Sequence, residues 1–148
     1  MVSLNSSHGG VPKSPVEEAR VFVDGMEHDR QKNLKYHGGP DRALCLYSAE
    51  LIEALQGEGH QIRPGTIGEN VLIAGVDWRE MTEGVRLRLG AAEIELTAFA
   101  HPCRNIAGSF RDGRIERVSP KVHPGWSRVY AKVVMPGILA AGDQAIVL

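Results

Sequence analysis

This sequence lacks most of the marks of a specialised protein class. It has two cysteines, Cys45 and Cys103, in 148 residues. That is too few for a secreted disulfide scaffold, and two reduced thiols are the expectation for an intracellular chain. No apolar run approaches the ~18 residues that span a bilayer. The opening Met1-Val2-Ser3-Leu4-Asn5-Ser6-Ser7-His8-Gly9 has neither the basic start nor the apolar stretch of a signal peptide. Neither sign of charge dominates: 17 Lys and Arg face 18 Asp and Glu, for a net −1 and a pI of about 6.6. This argues against a nucleic-acid protein relying on bulk electrostatics, although a local basic pocket is compatible with it. There is no internal repeat, low-complexity tract or linker. The expectation is a soluble cytoplasmic protein with neither nucleic acid nor membrane as a partner.

What is present is the composition of a packed domain, 43% hydrophobic and 24% charged, which excludes intrinsic disorder. The length implies one domain over residues 1–148. Surface scaling gives roughly 7,400 Å² exposed when folded against roughly 23,000 Å² when extended, so the core needs no disulfide or metal staple. Seventeen glycines and eight prolines punctuate short apolar segments, a pattern of many strands joined by turns.

Particular elements can be placed. Glu17 to Val23 alternates toward Val21 and Val23 and stops at Asp24-Gly25, a strand followed by a turn. Arg42 to Tyr47 is a second strand and runs into one helix, Ser48 to Gln56. Ser48 is its N-cap, Glu50 suits the positive end of the dipole, and Gly57 ends it. Leu51, Ile52 and Leu55 share its apolar face. Between Gly84 and Thr97, Val85, Leu87 and Leu89 alternate with Arg86 and Arg88, and Ile94 and Leu96 alternate with Glu93 and Glu95. A two-residue type II′ turn at Gly90-Ala91 pairs Leu89 with Ala92, Arg88 with Glu93, Leu87 with Ile94 and Arg86 with Glu95. A slip of one residue would invert both faces, so the register is well specified. Glu69 to Ala74 reads as a buried strand and Val76 to Met81 as a helical or turn connection. Ser127 to Leu148 holds two or three strands, broken at Met135-Pro136-Gly137 and at Gly142-Asp143. Strands outnumber helices, and a mostly-β barrel with one or two peripheral helices fits better than an alternating βαβ sheet.

Three stretches carry residues suited to chemistry. Gly9-Gly10-Val11-Pro12-Lys13-Ser14-Pro15 has free backbone N–H groups and an ammonium, which can cradle a phosphate. It lacks P-loop spacing, and an ordinary surface loop is the simpler account of it. His37-Gly38-Gly39-Pro40-Asp41-Arg42, reached from Asp29-Arg30-Gln31, lets backbone approach a ligand closely beside a charged fork for anions. A turn leading into a strand would explain the Gly-Gly-Pro alone. In His101-Pro102-Cys103-Arg104 a thiol follows a strand, and Arg104 and His101 favour its thiolate. Such a thiolate is a nucleophile, a persulfide carrier or a soft-metal ligand, whereas Cys45, inside an apolar strand, reads as a buried hydrophobe. A zinc site from Cys45, Cys103, His28 and His37 is rejected, since no C-x₂-C, H-x₃-H or H-E-x-x-H spacing occurs. No G-x-S-x-G supports serine hydrolysis.

These stretches, in this order, resemble the MOSC domain family, named for the C-terminal domain of molybdenum cofactor sulfurase. The matching segments are the Gly9–Lys13 loop, Asp29-Arg30-Gln31, His37-Gly38-Gly39-Pro40-Asp41-Arg42-Ala43 and Pro64-Gly65-Thr66-Ile67-Gly68-Glu69-Asn70. Gly75-Val76-Asp77-Trp78, Pro102-Cys103, Arg128-Val129-Tyr130-Ala131 and Gly142-Asp143 follow. The likeness runs from about Asn5 onward and is to the compact bacterial branch. Two departures stand out: Glu27-His28 precedes Asp29 where a glycine is usual, and His101 stands where relatives often carry Gln or Arg.

The resemblance implies a distorted, largely antiparallel β-barrel that binds the pterin-based molybdenum cofactor. It implies Cys103 as molybdenum ligand or sulfur carrier, and reduction of N-hydroxylated bases or related compounds with electrons from a separate reductase. Lys13, Arg30, His37, Gly38, Gly39, Asp41 and Arg42 would hold the anionic cofactor, with Asn70 and Arg128 lining the pocket. The alternatives are a sulfurtransferase-type carrier, charged by a cysteine desulfurase through a Cys103 persulfide, and a non-catalytic module that binds or delivers the cofactor.

Overall fold

The computed structural model describes residues 2–7, 9–27, 29 and 39–148. Its strands are β1 (Val2–Ser6), β2 (Ser14–Val16), β3 (Glu18–Phe22), β4 (Gly25–Met26), β5 (Leu44–Ser48), β6 (Val71–Ile73), β7 (Arg86–Leu89), β8 (Ala92–Phe99), β9 (Val129–Met135), β10 (Gly137–Ala140) and β11 (Ala145–Val147), and among the described residues there is one α-helix, α1 (Ala49–Gly57). Short 3₁₀ turns cover Pro40–Arg42, Trp78–Glu80 and three segments between Arg104 and Val118. The chain is mostly β with a small helical part. Among the described residues no helix is long and apolar enough to cross a membrane.

Eight strands form one twisted sheet in the order β11-β7-β8-β9-β5-β6-β1-β2, and β10-β3-β4 form a second. The expected barrel is not closed by strand pairing, because the edge strands β11 and β2 do not pair with each other. Single backbone bonds bring the ends together instead. Ala141 N donates to Glu17 O at 2.7 Å, Val2 N to Asp143 O at 2.9 Å, and Gly142 N to Val2 O at 2.8 Å. The neighbouring strands of the large sheet are antiparallel except β5 and β6, which run parallel. Helix α1 lies in the crossover that parallel pairing requires.

The β7–β8 hairpin has the register expected from its alternation: Leu89↔Ala92, Arg88↔Glu93, Leu87↔Ile94 and Arg86↔Glu95. Leu87, Leu89, Ala92 and Ile94 are buried. On the outer face Arg86 Nε lies 2.9 Å from Glu95 Oε1, and Arg88 Nη2 lies 3.1 Å from Glu93 Oε1. Gly90 takes φ +55° while Ala91 does not enter positive φ, as a II′ turn requires and a I′ turn forbids. Helix α1 begins after Ser48, whose hydroxyl accepts from Leu51 N at 3.2 Å, and it buries Ile52 and Leu55. The helix includes Gly57, one residue past the expected end, and Glu58 caps it. β5 is buried along its whole length, as suits a central strand.

Each outer-face pair of the hairpin is exposed and contributes about 0.2–1 kcal/mol. Arg88→Glu should therefore destabilise by up to about 1 kcal/mol, and adding Glu93→Arg should recover most of the loss in a urea-unfolding double-mutant cycle. A coupling of zero would contradict the pairing.

Candidate cofactor site

The site starts from a close backbone approach. Lys13 N donates to Gly65 O at 2.8 Å. Gly65 has φ +85°, and a Cβ there would lie 2.1 Å from Lys13 O, so only glycine lets the two loops meet. From this anchor the Lys13 side chain turns inward. Its Nζ donates to Asp29 Oδ1 at 2.7 Å and Oδ2 at 2.8 Å, with the two side chains 7% and 4% exposed. Asp29 Oδ1 also accepts from Ser7 N at 3.0 Å, and Oδ2 accepts from Asn70 Nδ2 at 2.8 Å. Asn70 continues the chain of bonds. Its Oδ1 accepts from Cys45 N at 2.9 Å, its backbone N donates to Cys45 O at 2.7 Å, and its carbonyl accepts from Asn5 N at 2.8 Å. Lys13, Asp29 and Asn70 thus form one buried network that ends on β5.

Beside it lies Glu69, fully buried. Its Oε2 accepts from Gly65 N at 2.8 Å, while Oε1 has no partner among the described residues. Burial pushes its carboxyl up to about 7, against the Gly65 hydrogen bond and the charges of Arg128 and Lys13. Arg128 is also buried. Its Nη1 donates to Ile67 O at 2.9 Å and its Nη2 to His101 O at 3.1 Å, leaving Nε buried without a partner among the described residues. Two of its nitrogens therefore tie the Ile67 turn to the segment that leads into Cys103.

Cys103 is half-buried, four residues beyond the end of β8 at the start of the Arg104–Ser109 turn. Its neighbourhood is organised by Tyr130 on β9. Burial pushes the Tyr130 hydroxyl up to about 12, the Cys45 and Cys103 thiols act the same way, and Arg128 and Arg42 oppose them. Tyr130 pairs with Cys45 across β5–β9 and packs with Cys45 and Ala100 in a small buried cluster. The Arg42 guanidinium lies 5.3 Å from the Tyr130 ring centroid. A register shift in β8 between Leu96 and Ala98 accompanies the approach of Thr97, whose hydroxyl donates to Asp41 O. The bulge thereby holds the turn that carries Arg42.

The structure thus joins Lys13 and Asn70 through Asp29, lays Arg42 over the Tyr130 ring, and sets Arg128 and Cys103 within electrostatic range of the Tyr130 hydroxyl. The two groups meet at Cys45, where burial pushes the thiol up and Arg128 and Lys13 oppose it. Gly39 and Asp41 are exposed at the edge of this arrangement, and Asp41 contributes its carbonyl. Arg30, His37 and Gly38 lie outside the described residues. Sequence reasoning did not assign site roles to Asp29, Glu69 and Tyr130, although each sits inside a matched motif. The Arg128-Val129-Tyr130-Ala131 motif was the available signal for the tyrosine, since its pairing with Cys45 joins strands far apart in sequence. Among the described residues no three His, Cys, Asp or Glu side chains converge as a metal cage.

The MOSC domain profile matches residues 33–145. The chain belongs to the MOSC domain family. This family is associated with binding of the molybdenum cofactor. The MOSC chain is 31% identical to the uncharacterized protein YflK of Bacillus subtilis over 90% of its own length and 60% of that protein's. It is 30% identical to protein YiiM of Escherichia coli, covering 86% of this chain and 61% of YiiM. It therefore spans about three-fifths of the length of these relatives. A crystal structure described as a hypothetical protein superposes with TM-score 0.77 at 26% identity, over 99% of this chain and 66% of that one. The YUAD protein of Bacillus subtilis superposes with TM-score 0.73 at 18% identity, over 99% and 96% respectively, which shows a shared fold.

Glu69 makes the stability of this MOSC domain depend on pH. Its carboxyl ionises near 7 when folded, against an ordinary 4.5. Between those values the folded chain holds a proton that the unfolded chain has released, so stability falls as pH rises from about 4.5 to 7 and levels off above. The loss is on the order of 3 kcal/mol. Glu69→Gln keeps an acceptor for Gly65 N, and it should flatten this dependence and exceed the parent in stability at pH 8. Urea midpoints between pH 5 and 8 measure both effects, and parallel curves would contradict the assignment.

Proposed function

We propose that this chain binds the pterin-based molybdenum cofactor, with Cys103 as the metal ligand, and reduces N–O bonds in N-hydroxylated bases or related compounds. The observation that carries this reading is the Cys103 thiol, half-buried within an environment shared with Arg42, Arg128 and Tyr130 in a chain of the MOSC family. The donor set fits the group chemically. A thiolate is a soft ligand suited to such a metal, and two guanidiniums suit an anionic pterin phosphate. Arg128 keeps a buried Nε without a partner among the described residues.

When bound, the cofactor supplies the redox chemistry; the protein supplies position and electrostatics. Arg128, held by the Ile67 and His101 carbonyls, presents a fixed charge. Arg42 is steadied by the Tyr130 ring at 5.3 Å, so its fork loses little freedom on meeting an anion. Electrons would come from a separate reductase. A carrier role for Cys103 uses the same thiol and is separated by experiment: a Cys103 peptide heavier by one sulfur atom identifies the carrier, and bound molybdenum with turnover identifies the reductase.

Cys103→Ser should fold with an unchanged melting temperature and lose molybdenum retention and turnover, because a hydroxyl does not replace a thiolate ligand. Cys45→Ser should instead cost about 1–3 kcal/mol of stability by burying a hydroxyl. Arg42→Ala should weaken cofactor retention about tenfold or more, since a charge-assisted contact contributes roughly 1.5–3 kcal/mol. Metal analysis of protein from a cofactor-competent host reads the Cys103 and Arg42 variants, and urea unfolding reads the Cys45 variant. Full molybdenum occupancy in Cys103→Ser would reject the ligand assignment.

A further inference from the structure

We infer that Lys13 is a positioning residue of the cofactor site and not one of its phosphate ligands. The inference rests on the cofactor-binding reading above and concerns how this chain's own charges are spent. An ammonium has three donors and a carboxylate about four acceptor positions. Lys13 Nζ lies within 2.8 Å of both oxygens of Asp29. Asp29 fills its remaining positions with Ser7 N at 3.0 Å and Asn70 Nδ2 at 2.8 Å. The two side chains are only 7% and 4% exposed, so no water competes for the pair. At this separation the charges cancel as seen from elsewhere in the site, leaving a dipole with little net attraction for a dianion. Two of the three Lys13 donors are spent on Asp29, and moving Nζ toward a phosphate would leave a buried carboxylate unpaired, which is strongly destabilising.

The network has a different use for the lysine. Lys13 holds both carboxylate oxygens of Asp29 in place, and Asp29 orients the Asn70 amide through Nδ2. That orientation is what presents Asn70 Oδ1 to Cys45 N at 2.9 Å. The Asn70 backbone N grips the Cys45 carbonyl at 2.7 Å. Cys45 is thus held at both of its backbone polar groups, and its register partner is Tyr130, over whose ring the Arg42 guanidinium lies. Lys13 acts on the site through this chain of contacts. Its charge has no direct part.

Two measurements test the inference. In the cofactor-free protein, inorganic phosphate is titrated while the side-chain nitrogen resonances of Lys13, Arg42 and Arg128 are followed. Shifts at Arg42 or Arg128 with a stationary Lys13 Nζ support the inference; a Lys13 shift that tracks them overturns it. If no guanidinium responds, the anion site itself is rejected and the inference falls with it. The second measurement uses charge removal. Lys13→Met alone should lower the melting temperature and speed exchange of the Cys45 amide by about tenfold or more, as the local network opens. Lys13→Met with Asp29→Asn removes both charges and should return cofactor retention to within about threefold of the parent. Asp29→Asn alone leaves the ammonium without its counter-charge. Tighter phosphate binding by Asp29→Asn would overturn the inference, as would a double variant that regains its melting temperature but stays tenfold weaker in retention. Weaker phosphate binding by Asp29→Asn supports it, also where the double variant does not fold.

Discussion

A carboxylate taken out of water has to be met by donors, and most of the site geometry follows from the way Asp29 satisfies this. Its four hydrogen bonds come from Ser7, Lys13 and Asn70, residues from three separate segments. Satisfying one side chain therefore fixes the end of β1, the glycine-rich loop and the turn before β6 relative to one another. Asn70 extends that order to β5, and the β5–β9 pairing extends it to Tyr130 and the Cys103 neighbourhood. The desolvation cost of the buried ions is offset by their mutual attraction only because every acceptor position is used.

The cations around the site are correspondingly committed before any ligand arrives. Arg128 spends two nitrogens on backbone carbonyls, and Arg42 lies over an aromatic ring. Groups held in this way lose little freedom when they meet an anion, which is the advantage of a preorganised site. A chain of net charge −1 thus still places two guanidiniums near one another. The balance of charge over the whole chain is compatible with strong local fields, because acidic partners such as Asp29 are themselves buried.

How much of this was legible in the sequence depended on the range of the interaction. The β7–β8 hairpin was readable residue by residue, since apolar alternation, opposed charges and a glycine at the turn all act within ten positions. Helix α1 was readable from its cap and its apolar face, with an end one residue late because Gly57 remained helical and Glu58 formed the cap. The Lys13–Asp29 pair was not readable. Sixteen residues separate its partners, and an isolated lysine in a glycine-rich loop looks the same whether it faces a phosphate or a carboxylate. Tyr130 was passed over because its role comes from lying opposite Cys45 on a neighbouring strand. The parallel β5–β6 pair was also unforeseen: strand periodicity reports which face is buried and carries no information about direction.

That single parallel pairing has a consequence for how the domain can change over time. Because β5 and β6 run the same way, with Leu46 opposite Val71, the residues that enter both strands lie at one edge of the sheet. Arg42 and Asn70 are therefore brought to the same side, while α1 and the turns after it make the return journey. The crossover is more than a spacer, because its last turns supply Gly65 to the Lys13 loop, the Ile67 carbonyl to Arg128 and the buried Glu69. Insertions or deletions between Glu58 and Arg63 would have to keep the buried Ile62, the His60 Nδ1 that accepts from Arg111 N and the Glu58–Arg117 pair. The return path is therefore tied to the Arg104–Val118 turns at one end and to Arg128 at the other, so a change of length within it must be absorbed where neither bond is made.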